Sequence, residues 1–288
     1  MNKSLLAVAL SVSTVGGASS AVALNFTNGA FTGSVDIAGT ITIPQVTNQW
    51  EWAAGDALSF ASIPVSQMSS DYKTLTVVAA SNFPLLVGQT KAATIGATGS
   101  ASLNPQIAFK DAAGTAVIPV WDNTGNSGKG TITLPVTDAE GTTLGSMKLQ
   151  VQVGGVRAQI YDGLTITALE STSTGSTSTG LYGEVAQPSE LAGTFATGSA
   201  AAAWNAVLGA HSATDLLSQL NTASGLNFAA WHFDNRSQGY AFSDPGAYFS
   251  GTYGLGIAQG DKIIVSFTSP VTANTTWKAP MKMTVTYL

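Results

Sequence analysis

Leu24-Asn-Phe-Thr-Asn-Gly-Ala-Phe-Thr-Gly-Ser-Val-Asp-Ile-Ala-Gly39 is the stretch on which the fold turns. From Phe31 it alternates: Phe31, Gly33, Val35, Ile37 and Gly39 face one way, and Thr32, Ser34, Asp36 and Ala38 the other. A period of two predicts a β-strand with one face to bury. Just before it, Lys3 supplies a positive n-region, Leu5 to Val15 is mostly apolar, and Ala21-Val-Ala23 is a small-x-small site. Residues 1–23 therefore read as a cleaved signal peptide, with the mature chain starting at Leu24. Free chain ends fray unless they dock into something. An apolar strand at that position needs a groove, at the edge of its own domain or on another molecule.

Composition narrows the function classes. Sixteen acidic residues outnumber eleven basic ones, which argues against nucleic acid, whose phosphates need a basic surface. Charged residues make up 9% of the chain, against about 25% in typical soluble domains. No later stretch approaches the roughly 20 apolar residues of a membrane-spanning helix. Cysteine is absent, so thiol catalysis, thiolate zinc sites and cysteine-ligated clusters are excluded. Stability must come from core area and from contacts with other molecules.

Short alternating runs separated by turn residues predict an all-β sandwich. Lys73 to Val78 is one strand. Thr131 to Val136 and Met147 to Val153 form a hairpin about Asp138-Ala-Glu-Gly141, with Ile132, Leu134 and Val136 facing Met147, Leu149, Val151 and Val153. Lys262 to Phe267 and Lys278 to Leu288 close the chain, and in the last of these Met281, Met283, Val285 and Tyr287 share one face. Two segments break the pattern. Ser171 to Gly180 is a low-complexity Ser/Thr/Gly run, predicted as a loop. Ser199 to Leu208 is an Ala-rich helix ended by Gly209, and Ser212-Ala-Thr-Asp215 resembles a capping box opening a second helix with Leu216, Leu217 and Leu220 on one side. Trp204 should pack the first helix onto the sheet.

Four stretches, in order along nearly the whole mature chain, carry a family resemblance. They are Phe31 to Gly39 with Trp50-Glu-Trp52; Leu134-Pro135 through Asp138 to Thr142 and Leu144 to Lys148; Gly198 to Ala203 with Leu208-Gly209 and Asp215 to Leu217; and Tyr253 to Ala258 with Trp277 to Pro280 and Tyr287. On these the chain resembles the FaeG-like major subunits of chaperone–usher fimbriae. The resemblance implies an incomplete immunoglobulin-like sandwich lacking its last strand, with a small two-helix insertion at about 166–250. It also implies that residues 24–39 act as a donor strand, through Phe31, Gly33, Val35, Ile37 and Gly39, and that 40–288 form the pilin domain. Met281, Met283, Val285 and Tyr287 would border the acceptor groove, where a periplasmic chaperone docks first and the next identical subunit later. An outer-membrane usher and host glycoconjugates are the other implied partners, and the cell-surface fimbrium is the implied location.

A sugar presents an apolar face and a fan of hydroxyls, so its sites combine aromatic platforms with carboxylate, amide and guanidinium groups. Trp231-His-Phe-Asp-Asn-Arg236 with Tyr240 has that inventory. It makes Trp231, His232, Asp234, Asn235, Arg236 and Tyr240 the candidate glycan-binding residues. The plain alternative is that Trp231 and Phe233 fill a satellite core and Asp234-Asn235-Arg236 is a solvated turn. His211 and His232 are the two histidines, and a lone histidine is more often structural than catalytic. No Gly-x-Ser-x-Gly elbow, His-Glu-x-x-His or phosphate loop is present, so no enzyme activity, catalytic residue, metal or cofactor is expected. The competing readings are a non-adhesive fimbrial shaft protein and an outer-membrane β-barrel, which needs strands of about 9–11 residues and aromatic girdles.

Overall fold

A computed structural model describes residues 49–60, 63–69, 71–96, 103–161, 163–174 and 181–287. All of them belong to one compact unit, Thr47–Leu288. The signal peptide and the donor segment 24–39 lie outside the described residues.

The strands in chain order are β1 (Trp50–Ala54), β2 (Thr74–Val78), β3 (Phe83–Thr90), β4 (Thr94–Ile95), β5 (Pro105–Lys110), β6 (Ala116–Val117), β7 (Val120–Trp121), β8 (Lys129–Thr137), β9 (Thr143–Tyr161) and β10 (Ile166–Ser173). Helices α1 (Gly198–Val207) and α2 (Ala213–Ser224) follow, then β11 (Phe233–Gln238), β12 (Tyr248–Ile257), β13 (Lys262–Phe267) and β14 (Lys282–Tyr287). This is the expected all-β architecture with a two-helix insertion. Neither sheet of the described residues closes into a barrel.

The organising element is β9, which at 19 residues exceeds the short strands the sequence suggests. Its first half lies between β8 and β13, its second between β10 and β12. The predicted β8–β9 hairpin forms with Leu134 opposite Met147 and Ile132 opposite Leu149. Its turn closes through the Asp138 carboxylate, which accepts the Thr142 amide at 2.7 Å, and Gly141 takes the positive φ of 92° that the tight reversal requires. β12 and β13 run one after the other down the opposite edge of β9 and carry β3 and β2 on their far sides. A smaller sheet, β14–β5–β6, packs its inner face on the same core.

Two hydrophobic cores result. Leu134, Met147, Leu149, Val151 and Val153 belong to the first, which the smaller sheet covers. Past Val153 the other face of β9 takes over, and Val156, Ala158 and Ile160 lie beneath Ala201, Trp204, Leu216 and Leu220 of the helices. The two glycines Gly154 and Gly254 sit opposite each other. They let α1 come close: a Cβ at either would lie 2.5 Å from the Asn205 Oδ1. Trp204 packs as expected and donates its Nε1–H to the Gly254 carbonyl at 3.1 Å. The Ser212/Asp215 capping box opens α2, and Gly225 ends it in the left-handed conformation, φ 73°.

Two sequence expectations need correcting. Ser171–Ser173 are not loop but the buried end of β10. The stretch 166–250 is not all insertion, because β10 and the start of β12 are members of the main sheet; the helical part lies between them.

Candidate functional site, an open groove beside the C-terminal strand

β14 pairs antiparallel with β5 through all six of its residues. Among the described residues its other edge has no strand. Lys282, Thr284 and Thr286 face outward and are exposed, while Met283, Val285 and Tyr287 are half-buried. Met281, just before the strand, is half-buried too. All four predicted groove residues pack against the first core, yet none is covered as a core strand would be.

Beside that free edge lies a cavity of about 690 Å³. Gly55–Phe60 forms one wall and Trp277–Met281 with Met283 the other; Leu85, Leu134, Met147 and Leu149 also line it. The hairpin fixes the second wall: Thr137 and Lys278 exchange backbone hydrogen bonds of 2.9 Å, and the Lys278 Nζ donates to the Ala139 carbonyl at 3.0 Å. A second cavity of about 600 Å³ continues the groove between Ile63 and Met68 on one side and Phe267 and Val271 on the other. Both cavities are lined by Phe60 and Trp277, whose rings stack at 6.2 Å and 20°. With Thr275 and Thr276, which also line both cavities, these two residues stand where the cavities meet. At the far end of β14 the Trp52 Nε1–H donates to the Tyr287 hydroxyl at 2.8 Å. Of the residues lining the two cavities, only Asp56 and Lys278 carry charge. The groove is thus an apolar trough flanked by unpaired strand backbone, and such an edge is a template for another strand.

The model of the family described as "Fimbrial, major and minor subunit" matches residues 2–288. The chain belongs to the K88 fimbrial subunit family. Its sequence is similar to K88 fimbrial protein AC of Escherichia coli at 34% identity and to K88 fimbrial protein AD of the same organism at 33%. It is also similar to the F41 fimbrial protein of E. coli at 25%. In each case the match covers the whole of both chains. The protein is accordingly a fimbrial subunit and its place is the surface fimbrium.

Within this K88-type subunit the six candidate glycan residues do not form one cluster. Asp234 caps α1, its Oδ1 accepting the Ser199 amide at 2.8 Å. Arg236 Nη1 donates to the Asn126 Oδ1 at 2.7 Å and to the Leu191 carbonyl at 3.1 Å. His232 Nδ1 accepts the Thr167 amide at 3.2 Å, and its ring stands edge-on to Phe228. Trp231 packs half-buried against the helical core. Asn235 is exposed and sits beside Glu170 in the β10–β11 register. Tyr240 is 56% exposed, with the Arg157 guanidinium 5.3 Å beneath its ring. Phe233, assigned to a satellite core in the plain alternative, is 52% exposed instead.

Beneath Tyr240 lies an ion pair that the sequence did not reveal. Arg157 and Glu170 are both buried, joined from Nε to Oε2 at 2.7 Å. Tyr161 donates its hydroxyl to Glu170 Oε1 at 2.8 Å. Burial first, and the Glu170 charge second, push the Tyr161 hydroxyl up to about 12. The groove residues Phe60 and Trp277 were also missed as a pair, since both lie in irregular segments with no periodic signal.

Proposed function

We propose that this subunit is the major protein of its fimbria and polymerises by strand donation, residues 31–39 of one copy filling the groove of the next. The observation that carries the reading is the free edge of β14 above an apolar, nearly charge-free trough. Phe31, Val35 and Ile37 suit it: burying a large side chain is worth about 1.5–3 kcal/mol, so the three together contribute roughly 5–9 kcal/mol before ordering costs. Backbone pairing along β14 adds register and affinity. Before assembly the same edge would be held by a strand of a periplasmic chaperone, and delivery would pass through an outer-membrane usher. We further propose an adhesive role for the helical insertion, with weak sites on successive subunits adding up through avidity. Asn235 and Tyr240 are its leading residues, because both are exposed while Asp234 and Arg236 are engaged in holding α1 and the neighbouring loop.

Size-exclusion chromatography and thermal melting of the mature protein, with and without residues 24–39, test strand donation. The truncated protein should be unstable alone and become a stable monomer when a peptide of those residues is added. A truncated protein that is stable and indifferent to the peptide overturns it. Loss of host-glycan binding in Tyr240→Ala fibres of normal length would support the adhesive role; unchanged binding in that variant and in Asn235→Ala would leave a shaft protein.

A further inference from the structure

Apart from Met1, the chain holds four methionines, Met68, Met147, Met281 and Met283, and cysteine is absent. All four line the trough beside β14: Met147, Met281 and Met283 the first cavity, and Met68 the second. The helical core, packed from aliphatic and aromatic side chains, contains none. The sulfur of the subunit is therefore gathered at one surface. Its accessibility there is graded. Met147, on β9, is 7% exposed, whereas Met68, Met281 and Met283 are half-buried. Met283 lies in β14 and Met281 just before it, on the side where no strand of the described residues pairs with β14. A methionine that solvent can reach is open to oxygen transfer onto its sulfur, and one sealed in a core is not.

We propose that Met281 and Met283 are oxidation sites through which hypochlorous acid disables a subunit whose trough is still open. The oxygen of hypochlorous acid passes to the thioether sulfur. An S–O bond forms as the O–Cl bond breaks; the sulfur gives up two electrons, and chlorine leaves as chloride with release of a proton. The sulfoxide turns a flexible apolar side chain into a polar one, and the trough has little to pair it with. The Lys278 Nζ already donates to the Ala139 carbonyl at 3.0 Å, and the Thr275 hydroxyl to the Ala273 carbonyl at 2.9 Å. Any apolar strand that fills the trough must bury the new oxygen without a partner, which disfavours filling. The modification needs only the reach of the two thioethers; its consequence for assembly rests on the strand-donation reading. Met147, shielded by the fold, reacts last. Because methionine sulfoxide is reduced enzymatically, an oxidised subunit is blocked and not destroyed.

The test treats the full mature chain, once as monomer and once as fibres sheared from cells, with hypochlorite equimolar to its thioethers. Peptide mass spectrometry locates each gain of about 16 Da, and size-exclusion chromatography reads the polymer-to-monomer ratio that the treated monomer then reaches. In the monomer, Met281 and Met283 should oxidise well ahead of Met147, and the ratio should fall about tenfold or more. Methionine sulfoxide reductase with a dithiol should restore it, which damage to tryptophan or tyrosine would not allow. The double variant Met281→Leu/Met283→Leu, close to native in volume, should polymerise equally well with and without hypochlorite. Normal polymerisation of monomer that carries both sulfoxides overturns the proposal, as does an equal loss in the double variant. The fibres test the underlying reading separately. Met281 and Met283 protected in fibres supports a filled trough; if they oxidise there as fast as in the monomer, while oxidised monomer is still blocked and rescued by the reductase, strand donation falls and the oxidation sites stand.

Discussion

Replacing Glu170 by glutamine should destabilise the subunit far more than its conservative shape suggests. The carboxylate lies 2.7 Å from the Arg157 Nε, and both residues are at least nine-tenths buried, Arg157 5% and Glu170 3% exposed. Glutamine keeps an oxygen for the Tyr161 hydroxyl but leaves the guanidinium buried with no counter-charge. Breaking one half of a buried pair costs about 3–5 kcal/mol. For a domain of this size each kcal/mol moves the melting temperature by about 2–4 °C, so Glu170→Gln should melt roughly 6–20 °C lower. Arg157→Met should lose a similar amount, with Tyr240 also losing the cation beneath its ring. The double replacement Arg157→Met/Glu170→Leu removes both charges and should recover most of the loss, since well-packed apolar pairs match or exceed buried ion pairs in stability. Near-ultraviolet circular dichroism melts of the four proteins measure the coupling. If Glu170→Gln melts within about 4 °C of the native protein, the pair is hydrated and the reasoning fails. If the double variant is as unstable as the two singles added together, the loss lies in packing and not in charge.

Two further outcomes are expected. Gly154→Ala places a methyl 2.5 Å from the Asn205 Oδ1 and 3.0 Å from the Ala201 carbonyl, so α1 must shift at a cost of about 1–3 kcal/mol; the melting temperature should drop while polymerisation persists. Burial raises the Glu184 carboxyl from 4.5 to about 7, so between those values the folded chain holds a proton that the unfolded chain has released. Stability should therefore fall as pH rises through that window and level off above it, and melts from pH 4 to pH 8 should show this slope flattened in Glu184→Gln.

What the sequence made legible was local. The β8–β9 hairpin, the caps of α2 and the half-buried face of β14 each declare themselves within a dozen residues, through alternation or a capping box. Signals failed where burial is two-sided. From Gly154 to Ile160 every residue of β9 is buried, so the alternation that marked Met147 to Val153 vanishes and the strand looks finished early. Ser171–Ser173 carry loop composition but are buried strand, because Thr also suits a pleated surface. The glycan candidates are dispersed for a different reason. Residues 233–238 form a strand, and neighbours along a strand point to opposite faces. Asp234 and Arg236 therefore turn one way and Asn235 the other, so the run is divided between two faces.

The same geometry explains how the proposed assembly groove and the helical insertion can share one chain without conflict. The groove draws on the first core, through Leu134, Met147 and Leu149; the helices draw on the second, through Val156, Ala158 and Ile160. β9 runs through both, but its two halves present opposite faces to them. A substitution beneath α1 reaches the groove through the backbones of β9, β3 and β12, and effects at sites without shared partners add nearly independently. Changes in the helices are thus free to alter the outer surface while the trough beside β14 keeps its shape. The dependence in the other direction is weak for the same reason. Filling the trough buries the faces of Met283, Val285 and Tyr287, and leaves the Trp204–Gly254 seat of α1 untouched.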